Sequence, residues 1–247
     1  MKKFFLALSS LLSVVFFVKS EAYMAVKTAD GNVVRFDVSN IDEVVFEEVP
    51  AITVSGEIGL YSYVDLGLVS GLKWATYNVG AANPTGNGDY YAWGETQLKD
   101  NYYRWDTYKW CTANDDMLEG LTKYCTNDYY GSVDDKIKLE SEDDAANVNW
   151  GMGWRMPTKE EFNELLNGCK WKWERNFNNT GVSGMFGTSI YNNNTIFLPA
   201  SGHYYDDGVY GAGSYGEYWL SSLSEDTPNY AYYISFSSSD IDRNIGD

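Results

Sequence analysis

Alternating apolar and polar positions run from Tyr23 to Thr28 and again from Val33 to Val38, with Asp30-Gly31 between them. That pattern predicts a β-hairpin, since Asp-Gly suits the left-handed turn a two-strand connection needs. Ile41 to Phe46 would add a short third strand, so residues 23–49 read as a small β unit. Pro50 and the Gly56–Gly59 stretch make residues 50–60 a linker. From Tyr61 the texture becomes aromatic, and Tyr63–Leu68 and Leu72–Val79 predict two short strands joined by Ser70-Gly71. Residues 97–149 have no clear period and predict a long loop region with at most short helices. Thr158 followed by Glu161 is a capping box, so a helix is expected over about Lys159 to Asn167. Phe162, Leu165 and Leu166 share one face of it, Gly168 supplies the stop, and Cys169 falls on the same face as a buried thiol. Short strands then follow at Lys170–Arg175, Gly184–Ser189, Thr195–Pro199, Glu217–Ser222 and Tyr230–Phe236. One compact helix among many short strands predicts an α+β fold.

Lys2 and Lys3 precede an apolar run, Phe4 to Val18, and Ser20-Glu21-Ala22 offers small residues at the two positions a signal peptidase reads. Residues 1–22 are therefore expected to be a secretory signal, and the protein to be exported to the periplasm, the outer cell surface or the medium. The apolar run is shorter than the roughly 20 residues of a membrane span, so no transmembrane segment is expected.

Thirty-five acidic residues face 18 lysines and arginines, a formal net charge of −17. Nucleic acid and anionic membrane surfaces both require positive charge, so neither is expected as a partner. Three cysteines allow three pairings on paper. Cys111 and Cys125 close the shortest loop, and a bridge there would stabilise by about 3 kcal/mol on the chain-entropy model. With a single histidine and no Cys-x-x-Cys, no zinc site is expected.

Several stretches, in order, resemble one bacterial family. Val64-Asp65-Leu66-Gly67-Leu68, Ser70-Gly71-Leu72-Lys73-Trp74-Ala75-Thr76 and Asn78-Val79-Gly80 resemble the opening of the Fibrobacter succinogenes major paralogous domain family. Tyr90-Tyr91-Ala92-Trp93-Gly94-Glu95, Asp143-Asp144-Ala145-Ala146 and Gly153-Trp154-Arg155-Met156-Pro157-Thr158 resemble its middle. Leu198-Pro199-Ala200-Ser201-Gly202 and Tyr218-Trp219-Leu220-Ser221-Ser222 resemble its end. The resemblance covers about residues 61–247. It implies a C-type-lectin-like domain on exported, often surface-located proteins of Bacteroidota-like bacteria, preceded by a short leader unit. Members often carry a cysteine where this chain has Tyr77, and the resemblance implies that it partners the counterpart of Cys169, so a free thiol is implied here. Members also continue past the last strand read above, so the domain is expected to lack its final strand and to leave an edge such as Tyr63–Leu68 unpaired.

Trp154 to Glu161 also resembles the helix start of formylglycine-generating enzymes, but those need a reactive cysteine pair late in the domain and nothing after Cys169 can serve. Trp154, Arg155, Thr158 and Glu161 are accordingly read as structural: a core ring, an anchor for a carboxylate such as Asp144, and a cap. His203 beside Asp206, with Ser201 or Ser221, suggests a triad only superficially, since no nucleophile-elbow sequence is present. The acidic loops offer oxygens to calcium, yet they contain no EF-hand loop and no calcium-lectin sugar motif, so no cofactor is expected. Tyr204, Tyr205, Tyr210 and Tyr215 lie in a Gly- and Asp-rich stretch over 203–216 and are the candidate ligand-binding residues, able to stack on sugar rings. The expected function is a non-catalytic surface module recognising a glycan or a protein. A structural or assembly subunit of a surface appendage is the alternative, with a formylglycine-generating-like enzyme a distant third.

Overall fold

The computed structural model describes residues 17–18, 21–27, 31–40, 51–99, 102–112 and 119–246. Two compact units divide at Val49 and Pro50. In the first, β1 (Phe17–Val18), β2 (Glu21–Lys27) and β3 (Val33–Asp37) form an antiparallel sheet in that order. The hairpin expected from Asp30-Gly31 is present, with Tyr23 opposite Asp37 and Lys27 opposite Val33. Its first two strands reach into the segment expected to be a signal, and the third strand expected at 41–46 lies outside the described residues.

Residues 50–60 are part of the second unit rather than a linker. β4 (Gly56–Ile58), β5 (Tyr61–Val64) and β6 (Trp74–Ala75) form one antiparallel sheet with β5 in the middle. Thr53 donates its N–H to Thr195 O at 3.2 Å, and Ile52 packs on the buried ring cluster of Phe177, Phe186 and Phe197. Gly56 opens β4, and Gly59 lies in the tight turn between β4 and β5. The Tyr63–Leu68 edge is not left open, because β5 is paired on both sides.

After a long irregular stretch, α1 (Ala145–Trp150) and α2 (Lys159–Gly168) are followed by a sheet of β7 (Cys169–Glu174), β8 (Gly184–Ser189) and β9 (Thr195–Pro199). A short hairpin, β10 (His203–Tyr205) and β11 (Gly208–Tyr210), precedes the sheet β12 (Tyr215–Leu223), β13 (Ala231–Ser237) and β14 (Ile241–Gly246). Strand β14 extends this sheet beyond the last strand expected from the sequence, with Ile241 opposite Phe236 and Arg243 opposite Ile234. Its polar sequence hid it, since an outer strand need not carry an apolar face. Mixed α+β architecture, built from small antiparallel sheets and few helices, is as expected.

The capping box forms as read: Thr158 Oγ1 accepts from Glu161 N at 3.3 Å, and Glu161 Oε2 accepts from Thr158 N at 2.8 Å. Phe162 and Leu165 are fully buried with Val64, Leu66, Ile196 and Leu220, and each such side chain contributes about 1.5–3 kcal/mol. Gly168 plays a different part from the stop expected of it. It is the last helical residue, and a Cβ there would lie 2.5 Å from Leu68 Cδ2, so glycine lets the helix end close on the core. Cys169 then turns extended and is buried in the same cluster.

The expected Cys111–Cys125 bridge is not formed. Cys111 is paired across from Leu121, whereas Cys125 is buried with Sγ donating to Asn127 O at 3.1 Å. Asp134 Oδ1 fixes the Cys125 backbone by accepting its N–H at 2.9 Å. The two cysteines thus sit in different local settings, although they are close in sequence.

Candidate functional site

The segment from Asn78 to Trp93 is held by three side-chain hydrogen bonds to β12 and one to Ser201. Asn78 Nδ2 donates to Tyr218 Oη at 3.0 Å and Tyr90 Oη to Ser201 O at 2.6 Å. Trp219 Nε1 donates to Tyr91 O at 3.1 Å, and Trp93 Nε1 to Leu220 O at 2.7 Å. Alternation along β12 sets the rest. Leu220, with Ile234 and Phe236 of β13, is buried in the core, while Glu217, Trp219 and Tyr233 line a cleft. Trp219 meets Tyr233 edge-on with centroids 5.8 Å apart. The cleft has a volume of about 730 Å³, and Tyr91, Tyr103, Trp150 and Tyr204 supply further rings to its wall.

The hairpin β10–β11 contributes His203, Tyr204 and Tyr205 to the cleft lining. Tyr204 is wedged between Tyr103 at 4.7 Å and Tyr90 at 5.9 Å, centroid to centroid, and is a packing residue as much as a lining one. Tyr205 is 68% exposed. Tyr210 and Tyr215 do not line the cleft; they surround His203 instead. Tyr215 Oη lies 3.0 Å from His203 Nδ1, and the Tyr210 ring stacks on the imidazole at 6.1 Å. The structure thus divides the four candidate tyrosines between two settings. An exchanged backbone pairing between Tyr103 and Asp206, with an Arg104–Asp206 ion pair at 2.6 Å, ties the hairpin to the preceding loop.

His203 Nδ1 is also 3.4 Å from Glu217 Oε2. Burial raises the Glu217 carboxyl above its ordinary range, and His203 only partly opposes this. Ser201 is buried and shares its hydroxyl with Tyr218 Oη at 3.1 Å, away from the imidazole, so no serine–histidine pair is assembled. Tyr91 Oη donates to Asp89 Oδ2 at 3.3 Å, and burial together with that carboxylate pushes the phenol up to about 12. Glu95 is buried against Lys99 Nζ at 2.9 Å.

At the α1 side, Trp150 stacks on Tyr61 at 4.5 Å and meets Trp154 edge-on at 5.1 Å. Tyr77, the position at which a cysteine was expected by resemblance, also packs edge-on against Trp150. Trp154 is buried and donates Nε1 to Ile58 O at 3.0 Å. Arg155 does not anchor Asp144. It forms a two-pronged pair with Glu161, at 2.6 and 2.5 Å, which places the helix cap and the cleft wall under one ion pair. Asp144 instead accepts from Ala146 N, Asn147 N and Met156 N, so backbone donors leave no demand for the guanidinium.

The sequence places Tyr90 to Gly94 only in a family-like motif, and no motif in it marks Asp89, Tyr91, Trp219 or Tyr233 as lining residues. The available signal for Trp219 and Tyr233 was strand alternation, which sends them to the face opposite Leu220 and Ile234. Among the described residues no group of three or more His, Cys, Asp or Glu side chains is placed to hold a metal ion. Among the same residues no helix is long and apolar enough to cross a membrane. No family model, curated protein or solved structure matches this chain.

Proposed function

We propose that the second unit is a non-catalytic recognition module of an exported protein, with a C-type-lectin-like fold, and that its ligand is a glycan held in the aromatic cleft. The observation that carries this reading is the cleft wall itself. Tyr91, Tyr103, Trp219 and Tyr233 present rings, and Asp89, Asn87 and Glu217 stand among them as hydrogen-bonding groups. Sugar rings have flat C–H faces that stack on aromatic rings and hydroxyl rims that need polar partners, and this mixture suits both. The order of the family-like motifs supports the fold assignment. A glycan array with the intact chain tests the function. Binding lost on Tyr91→Ala or Tyr205→Ala, with unchanged unfolding, supports the cleft; binding insensitive to both places recognition elsewhere.

One observation favours the assembly reading for the first unit. Val33, Val34 and Phe36 of β3 are 43%, 47% and 44% exposed, so the hairpin carries apolar side chains in contact with solvent. Sedimentation of the chain against a Val34→Asp, Phe36→Asp variant tests this. A self-association removed by the substitutions supports an attachment role.

A further inference from the structure

The charges around the cleft do not balance, and the imbalance has one sign. Lys73 and Arg155 line it, but Lys73 is paired with Asp65 and Arg155 with Glu161. Glu95 is likewise answered by Lys99. Asp89 and Glu217 remain. Among the described residues, Asp89 has the Tyr91 hydroxyl as a neighbour and Glu217 an imidazole at 3.4 Å. Both carboxylates share the cleft with aromatic rings: Asp89 accepts from Tyr91, and Tyr103, Trp219 and Tyr233 line the same cleft as Glu217. A cation gains from a carboxylate and from the negative face of an aromatic ring together, because the two attractions add within one partly dry site. The chain as a whole, at −17, adds a field of the same sign.

We infer that the ligand of this cleft carries protonated amines, and specifically that it is a glycan containing unacetylated amino sugars rather than neutral or acidic ones. This rests on the glycan reading of the cleft. An amino sugar offers the stacking face that Tyr91, Trp219 and Tyr233 require, with an ammonium a few ångströms from that face for Asp89 or Glu217. A neutral sugar leaves Glu217 partly buried with no added counter-charge, and a uronic or sialic acid meets like charge.

The experiment is calorimetric titration of the intact chain with three probes: a β-1,4-linked glucosamine hexamer with its amines protonated, the corresponding N-acetylglucosamine hexamer, and a trilysine peptide. The glucosamine hexamer is expected to bind at least about tenfold tighter than the acetylated one, the scale of one partly desolvated charge contact. Glu217→Gln and Asp89→Asn should each reduce that ratio by weakening the glucosamine hexamer more than the acetylated one, with the unfolding midpoint unchanged. Equal binding of the two hexamers, or tighter binding of the acetylated one, overturns the amine preference but leaves the glycan reading standing. Tight trilysine binding without binding of either hexamer overturns both and identifies a cationic peptide site. Absence of binding by all three probes also overturns the amine assignment.

Discussion

Asp143 and Asp144 are adjacent in the chain and are held in opposite electrostatic settings. Asp143 accepts from Lys123 Nζ at 2.5 Å, Tyr124 Oη at 2.7 Å and Lys109 Nζ at 3.0 Å. Burial alone would raise its carboxyl, but these three donors take it below the ordinary aspartate range. Asp144 is met only by backbone N–H groups and by a distant Arg155, and there burial wins and raises the carboxyl. Replacing Asp143 by Ala removes the buried acceptor of three donors, while Lys123 keeps Glu140 at 2.6 Å and Lys109 stays half-exposed, so a loss of about 1.5–3 kcal/mol in urea unfolding is expected.

The same pair sets an acid response with two signs. Asp143, lowered from 3.8, adds stability that is complete above that value and disappears as pH falls through its folded pKa. Asp144, raised from 3.8, adds stability that is present below that value and disappears as pH rises through its folded pKa. Asp143→Asn should therefore flatten the acid limb of a stability–pH curve. Asp144→Asn should remove the small decline on its alkaline side, measured by unfolding midpoints across the acidic range.

Cys169 has its thiol pushed up to about 11 by burial alone, from 9.0. The folded chain keeps it neutral, so stability from this group is complete below 9.0 and fades as pH climbs toward the folded value. Alkylation of Cys169 in the native protein should be far slower than in the urea-unfolded chain. Equal rates, followed by peptide mapping, would show an open site.

The candidate tyrosines should separate by stability. Tyr204→Ala removes a ring held between Tyr90 and Tyr103 and is expected to lower stability by about 2–3 kcal/mol. Tyr205→Ala removes a largely exposed ring and should change it by less than about 0.5 kcal/mol. Thermal unfolding of both variants decides this before any ligand is known.

Thr158→Ala should lower stability by about 1 kcal/mol through loss of the helix cap. Glu161→Ala should cost more, since the same carboxylate also holds Arg155. A double-mutant cycle of Arg155 and Glu161 measures that share.

Elements whose signal is local were legible in the sequence. The capping box of α2 needs only Thr158 and Glu161, and the strands from β7 to β9 are short apolar runs between turns. β4 and β14 were not legible, because Gly56–Ile58 and Ile241–Gly246 become strands only through their partners Tyr61–Tyr63 and Ala231–Phe236. The cleft was legible only at Tyr204 and Tyr205. Its opposite wall comes from residues more than a hundred positions earlier, and no window of sequence joins Tyr91 to Trp219.

The ties between the β4–β6 region and the turn after β8 span most of the second unit. Ser189 Oγ donates to Leu66 O at 2.5 Å, and Asn192 and Asn194 both donate to Asp65 O, at 2.8 and 2.7 Å. The first sheet therefore waits for a segment made more than 120 residues later. Closing loops of that length precedes the contacts that reward it, which slows folding. A chain synthesised from its N-terminus remains without its central core until that segment emerges, and its apolar residues around Leu66 stay uncovered through that interval.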